Sequence, residues 1–503
     1  MIGRQFDKRW TKSDTVRSVS FFLLHFIIFV VLAAVAVFSD GDAAIIDMVK
    51  QNGASYLYAV FCILLLFVIT YFYFFFENRD ILERGKNISL VFTLLSLYMV
   101  MSCFIGYKIS LYARPVALVA LMMLMLVGRK EAIFLNIICA LLVFAIDTFA
   151  VPDVTMKEGY SSLLIAFSAG MVAIFSASKT RTRFGVIAIG FVVIAPIAFV
   201  IFLLELTAII SPEMLQTGDL TLFQNIFLQM GYGVFGALMS AVLFLALLPP
   251  FEYIFNCLTV FRLRELTSSD AKILKKLKEE APGTYNHSML VAQLAEASAA
   301  AIGENVDYAR AAALYHDVGK LHYPEHFTEN QGDYNLHDEL TPELSADIIR
   351  SHARDGYTLI RNHHLPEFFA DVALQHHGTM PIRYFYAKAL KMTDGELNIE
   401  DFSYVGPKPQ TKIAAIIMIC DASEAAVRAV NARNPEEVER AIRSVIEERM
   451  DLEQFAECDI TMADLTKIRQ ALVNALSGVY HHRIKYPNLK YRRTEYGTKG
   501  ENE

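Results

Sequence analysis

Five short stretches in the second half of this 503-residue chain carry side chains able to hold metal ions. His287 stands in TYNHS, His316 and Asp317 in YHDVGK, His352 in IIRSHARDG, His376 and His377 in LQHHGT, and Asp421 in IMICDASEA. Imidazole and carboxylate together suit iron, manganese and other first-row metals, and the pattern lacks the paired cysteines of a soft or structural zinc site. One ion takes about four to six ligands, so these residues fit two ions sharing a bridging carboxylate. Each adjacent pair, His316–Asp317 and His376–His377, places two side chains about 100° apart around a helix. A helical bundle closes several such pairs around one centre. Lys320 is a point charge suited to a phosphate, and Gly319 reads as a tight turn after the metal pair.

A single helical histidine is more often structural than a ligand. It is the recurrence of His or Asp in five segments of an otherwise apolar helical frame that argues for a shared site. His363-His364 lies just before Leu365-Pro366, where a helix must end and a cation suits its C-terminus, so that pair reads as structural. His322, His326, His337, His481 and His482 read as surface or supporting positions.

The frame that must position these residues is helical. From residue 283 apolar residues recur at three and four, and alternating strand runs are missing. The run ARAAAL from Ala309 makes a slim helix before His316. Thr284, Asn434-Pro435 and Thr461-x-x-Asp464 read as helix starts.

The first half has a different solvent. Of the whole chain 54% is hydrophobic, above the usual 45–50%, and the excess lies before about residue 250. Eight spans approach the roughly 20 apolar residues that cross a bilayer: 18–38, 56–76, 88–106, 111–127, 131–150, 161–178, 184–206 and 222–248. Lys and Arg collect at Arg4, Lys8, Arg9, Lys12 and Arg17, then in alternate connections at Arg79, Arg84 and Lys86, at Arg129 and Lys130, at Lys179, Arg181 and Arg183, and at Arg262 and Arg264. The other connections carry mostly acids. The positive-inside rule and an even span count both put the two termini in the cytoplasm. Asp147 and Glu205 read as interfacial. Pro249-Pro250 ends the last span. Residues 251–266 are an amphipathic segment along the inner leaflet, and 267–280 a charged helix with Ile273, Leu274 and Leu277 as its apolar stripe, broken at Pro282-Gly283. A net charge of −7 argues against a DNA or RNA polymer as partner. Six scattered cysteines fit a reducing compartment rather than a disulfide framework.

The soluble half resembles the HD superfamily of metal-dependent phosphohydrolases. PGTYNHS, ALYHDVGKL, ENQ, HDELTPELSA, SHARDGYTL, QHHGT, PKPQTK and the ECD at 457–459 are similar to the seven-transmembrane HD family, the PgpH-type cyclic di-AMP phosphodiesterases of bacteria. The expected fold is all-α, a polytopic helical membrane domain followed by an all-helical HD domain. The expected divisions are a cytoplasmic segment 1–17, an anchor helix 18–38, a short extracytoplasmic loop 39–55, a seven-helix block 56–248, a linker 249–282, an HD domain 283–487 and a polar tail 488–503. That family's large extracytoplasmic domain has no room in 39–55. The resemblance implies hydrolysis of cyclic di-AMP to 5′-pApA in the bacterial inner membrane. It also implies two iron or manganese ions held by His287, His316, Asp317, His352, His376, His377 and Asp421. Asp317 is the natural bridge, and Lys320 would neutralise a phosphate oxygen. His287 and Asp421 would complete one side, and His352, His376 and His377 the other. Gly378-Thr-Met-Pro follows the His-His pair, where cyclic di-GMP enzymes carry Gly-Tyr-Pro. A homo-oligomer is compatible with the sequence. Rival readings are another nucleotide phosphohydrolase, a receptor whose HD domain binds without cutting, and a transporter with a regulatory HD domain.

Overall fold

The computed structural model describes residues 11–38, 45–151, 154–178, 180, 182–209, 220–332, 334–392, 396–430 and 434–479. His481, His482 and the expected polar tail lie outside them. The chain forms two compact units, one made of residues up to Lys275 with Leu359–Ala370, the other of Lys276–Thr358 with the chain from Asp371 onward. Among the described residues there is no strand, only an isolated antiparallel bridge between Pro381 and Ser403.

In the first unit the helices are α1 (Lys12–Phe38), α2 (Ile45–Glu77), a single turn α3 (Asp80–Glu83), α4 (Gly85–Lys108), α5 (Leu118–Leu126), α6 (Arg129–Ala150), α7 (Met156–Ala177), α8 (Arg183–Ile209), α9 (Leu220–Ile254) and α10 (Val260–Leu266). Among the described residues seven helices, α1, α2, α4, α6, α7, α8 and α9, are long and apolar enough to cross a membrane. This is a multi-pass membrane protein. The helix α2 begins at Ile45 and kinks at Asn52, so it takes up most of the stretch expected as the loop 39–55.

The fourth expected span is not a continuous helix. Ser110 caps a 3-10 turn, Leu111–Ala113, by accepting from the Tyr112 N–H at 3.3 Å. Arg114 is extended (φ −60°, ψ 144°), as a residue before Pro115 prefers. The helix that follows has nine residues, about 13 Å, less than half of a hydrocarbon core of about 30 Å. Yet the chain does return across the unit. The Tyr107 hydroxyl, at the end of α4, donates to Asp147 Oδ1 at 2.8 Å, and Asp147 lies near the end of α6. The two helices therefore run the same way, and 109–128 must come back between them.

A buried ion pair pins this broken span. Arg114 donates to both carboxylate oxygens of Asp147, at 2.6 and 2.7 Å, to Ser162 Oγ at 2.7 Å and to the Ser102 carbonyl at 3.0 Å. Arg114 and Asp147 are 1% and 0% exposed. Asp147 is thus not interfacial, as expected, but fully enclosed, because a charge in this solvent persists only when paired. The helix α9 approaches at Gly236, where a Cβ would lie 2.5 Å from the Arg114 carbonyl oxygen. Glu205 pairs with Lys157 at 2.7 Å, the lysine half-exposed.

Pro249 and Pro250 do not end α9, which runs one turn further to Ile254. Proline keeps a helical φ, and a membrane helix tolerates its missing donor and the clash of its ring with the preceding turn. The end comes just before Asn256, whose φ is 48°.

The second unit contains α11 (Lys272–Glu280) from Lys276 on, α12 (Pro282–Ile302), α13 (Val306–Tyr315), α14 (Pro342–Asn362) as far as Thr358, α15 (Glu367–Gln375) from Asp371 on, α16 (Arg383–Leu390), α17 (Lys412–Ala429), α18 (Pro435–Asp451) and α19 (Met462–Val479). α12 packs on α13, α17 and α19. Ile273, Leu274 and Leu277 form the buried stripe of α11. Pro282 is the first residue of α12, so Thr284 lies inside the helix rather than before it. Asn434 caps α18, accepting from the Glu437 N–H at 2.9 Å, and Pro435 is its first residue. Thr461 and Asp464 cap α19 reciprocally, both at 3.1 Å.

Candidate metal centre

Helix ends deliver most of the cluster. His316 follows α13 and His376 follows α15, each accepted by the carbonyl three residues back: His316 Nδ1 donates to Ala313 O at 2.6 Å and His376 Nδ1 to Ala373 O at 2.8 Å. His352, inside α14, does the same to Ile349 O at 2.5 Å. These bonds occupy Nδ1 and leave each Nε2 as the free lone pair, which fixes the tautomer a metal ligand needs. His287, one turn into α12, sets its Nδ1 3.0 Å from Glu424 Oε2. Glu424 lies three residues after Asp421 on α17, so one helical face supplies both the candidate ligand and the support behind another. Sequence reasoning missed Glu424, although the i, i+3 spacing in DASE was there to be used.

The structure brings together all seven residues expected at the centre. Potential ligand atoms of Asp317, His352, His376 and His377 lie within 4.8 Å of one another, as do those of His287, His316 and Asp317, and those of His316, His376 and Asp421. Asp317 belongs to both of the first two groups, one oxygen to each. Its Oδ1 lies 3.3 Å from His352 Nε2 and 3.5 Å from His376 Nε2, and its Oδ2 lies 3.3 Å from His316 Nε2 and 3.8 Å from His287 Nε2. Asp421 Oδ1 is 3.0 Å from His287 Nε2, and its Oδ2 is 3.9 Å from His377 Nδ1. His316 Nε2 and Asp317 Oδ1 are buried with no hydrogen-bond partner among the described residues. Orphaned buried polar atoms are costly, and a hard or borderline cation fits among just these donors.

Electrostatics point the same way. Burial acts to raise the Asp317 carboxyl, but His316 and Lys320 beside it prevail and hold it well below the usual carboxylate range. Burial acts likewise on Asp421 and is overcome by the His287 bond. Burial pushes His352 down to about 3 and His377 well below its ordinary value. For His287 burial lowers and the bonds to Asp421 and Glu424 raise, with the latter winning at about 10. The cluster therefore sets two ionised carboxylates beside a neutral His352 and His377 and a charged His287.

Lys320 reaches Asp317 Oδ2 at 2.7 Å and Glu329 Oε1 at 2.8 Å. In the ligand-free protein it neutralises carboxylates, and it can present only its remaining donor capacity to a phosphate. Gly319 does not serve a turn alone. A Cβ there would lie 1.9 Å from the His352 carbonyl oxygen, so it allows the His-Asp segment to touch α14. His363 and His364 are exposed at the end of α14, outside the cluster. His337 is buried, its Nε2 2.8 Å from the His326 carbonyl oxygen.

The exposed side of the centre is narrow. His287, His316, Asp317, His352 and His376 are buried, whereas the side chains of His377 and Asp421 are 25% and 13% exposed. Tyr404, a residue not anticipated from sequence, stacks on His377 with ring centroids 4.3 Å apart.

Residues 284–426 match the HD domain family, and residues 53–259 match the family described as a 7TM receptor with intracellular HD hydrolase. The two matches follow one another along the chain, the membrane helices first and the HD domain after them. It is 36% identical over 433 residues to the cyclic-di-AMP phosphodiesterase PgpH of Bacillus subtilis, covering 84% of this chain and 59% of that protein. It is 44% identical over 291 residues to the PgpH of Listeria monocytogenes, covering 58% of this chain and 39% of that one. The chain thus spans only part of the length of the curated relatives it matches. The crystal structure of the L. monocytogenes PgpH HD domain in complex with cyclic-di-AMP is 48% identical, with a TM-score of 0.41, covering 43% of this chain and all of that one.

Proposed function

We propose that this protein is a membrane-bound phosphodiesterase that hydrolyses cyclic di-AMP to linear 5′-pApA at a two-metal centre. The carrying observation is Asp317, whose two oxygens face two different sets of imidazoles 3.3 to 3.8 Å away. A carboxylate so placed would hold two ions rather than complete the shell of one. His287, His316 and Asp421 would hold one ion, and His352, His376 and His377 the other, with iron or manganese suited to the donors. When bound, such ions supply Lewis acidity toward a phosphate and a water acidic enough to attack at neutral pH. The chain's own residues do the rest. Ala313, Ile349 and Ala373 carbonyls orient three imidazoles, Glu424 orients a fourth, and Lys320 offers positive charge beside the bridging carboxylate. The substrate reading is supported by two relatives, at 36% and 44% identity, that are named cyclic-di-AMP phosphodiesterases.

We further place both termini in the cytoplasm of a bacterial inner membrane. The basic connections alternate with acidic ones, and the parallel run of α4 and α6 makes 109–128 a crossing. The test is purified full-length protein, loaded with manganese and given cyclic di-AMP. Chromatography should show 5′-pApA, and Asp317→Asn should lose both metal and turnover. Protein that carries metal and cleaves other phosphodiesters, but leaves cyclic di-AMP intact, sinks the substrate reading.

A further inference from the structure

Residues 399–404, which precede α17, lie beside the open side of the centre. They are held there at two levels. The Ile382 N–H donates to Phe402 O at 2.8 Å and the Tyr404 N–H to Met380 O at 3.0 Å, on either side of the Pro381–Ser403 bridge. Phe402 is itself locked in a small apolar cluster with Ala346, Phe385 and Ala389. The strand-like strap is thus fixed to the segment that carries His376 and His377. Tyr404 rides on it.

The Tyr404 ring lies nearly parallel to His377, 25° between planes, and edge-on to His352 at 5.9 Å. It is half-buried. Its hydroxyl has no hydrogen-bond partner among the described residues, while the backbone and the ring are both fixed. A phenol held rigidly at that rim without a partner is a donor in waiting. The rim it occupies is the side on which His377 and Asp421 reach solvent, so a substrate's phosphodiester must pass it.

We propose that Tyr404 is a further catalytic residue, its hydroxyl donating a hydrogen bond to the phosphodiester seated at the centre while its ring holds His377 in place. This deepens the phosphodiesterase reading and rests on it. A donor aimed at phosphate oxygen gains strength as charge builds there during displacement. The ring and the hydroxyl are separable: Phe keeps the stack and removes the donor, and Ala removes both.

Full-length protein in detergent serves for the test, with metal content by elemental analysis and steady-state kinetics on cyclic di-AMP and on bis(p-nitrophenyl) phosphate. Tyr404→Phe should keep wild-type metal content and lose about 100- to 1000-fold in turnover on both substrates. Tyr404→Ala should lose metal as well. Tyr404→Phe within twofold of wild type on both substrates overturns the proposal, as does loss of metal in that variant. If wild type cleaves only the nitrophenyl diester, the cyclic di-AMP reading fails. The Phe-to-wild-type ratio on that diester still decides the role of Tyr404.

Discussion

At the scale of single residues, the site depends on what stands behind each imidazole. Glu424 holds His287 Nδ1 at 3.0 Å and is itself 2% exposed. Replacing it by Gln keeps the shape and removes the charge that makes the imidazole basic. Such supporting partners are worth about 10- to 100-fold in metal affinity, so Glu424→Gln should weaken manganese binding by that factor in a competition titration, with the fold intact by circular dichroism. Unchanged affinity would dismiss the supporting role. Proton linkage gives a second measurement. His287 is raised to about 10 in the metal-free protein, so it is charged near neutral pH, and a ligand must be neutral to bind. His352, lowered to about 3 by burial, has no proton to lose. Metal loading should therefore expel about one proton near pH 7, and affinity should rise with pH until about 10. Calorimetry in buffers of different ionisation enthalpy reads the proton count, and a buffer-independent heat contradicts it.

At the scale of elements, close approach matters more than propensity. Gly319 lets the His316–Asp317 segment lie against α14. Gly319→Ala puts a methyl carbon into backbone that cannot swing away. Such overpacking costs about 1–3 kcal/mol or more, and here it also separates His352 from Asp317. The variant should melt several degrees lower and bind metal more weakly, and normal melting with normal metal content would show that the contact relaxes. The chemistry-bearing residues and the helical frame were legible in the sequence because imidazoles, carboxylates and caps such as Asn434 and Thr461 act locally. Each declares itself through type and spacing. Glu424, Tyr404 and the pairing of Arg114 with Asp147 were not legible in that way. Their partners are set by tertiary convergence: Tyr404 meets His377 across a strap of the fold, and Asp147 meets Arg114 across 33 residues. The same limit explains the fourth span, where hydropathy registered the apolar run but not that Arg114-Pro115 splits it.

At the scale of the whole molecule, the two units draw on opposite solutions to charge. The HD unit gathers ionised carboxylates where cations can join them, while the membrane unit contains an Arg and an Asp that neutralise each other. Arg114 and Asp147 are both enclosed and bidentate, so removing one partner strands the other. Breaking such a pair costs about 3–5 kcal/mol, whereas replacing both by apolar residues of similar size is often nearly neutral. Asp147→Asn and Arg114→Met should each lower the melting temperature of the detergent-solubilised protein, and Arg114→Met with Asp147→Leu should recover most of the loss. Tyr107 and Ser162 would keep part of the cost in the double variant, because their hydroxyls lose a charged partner. All seven residues assigned to the metals belong to the other unit, so none of these variants should change metal content in protein that remains folded. A double variant as unstable as either single one would mean that the pair holds the broken span by specific geometry rather than by cancelling charge.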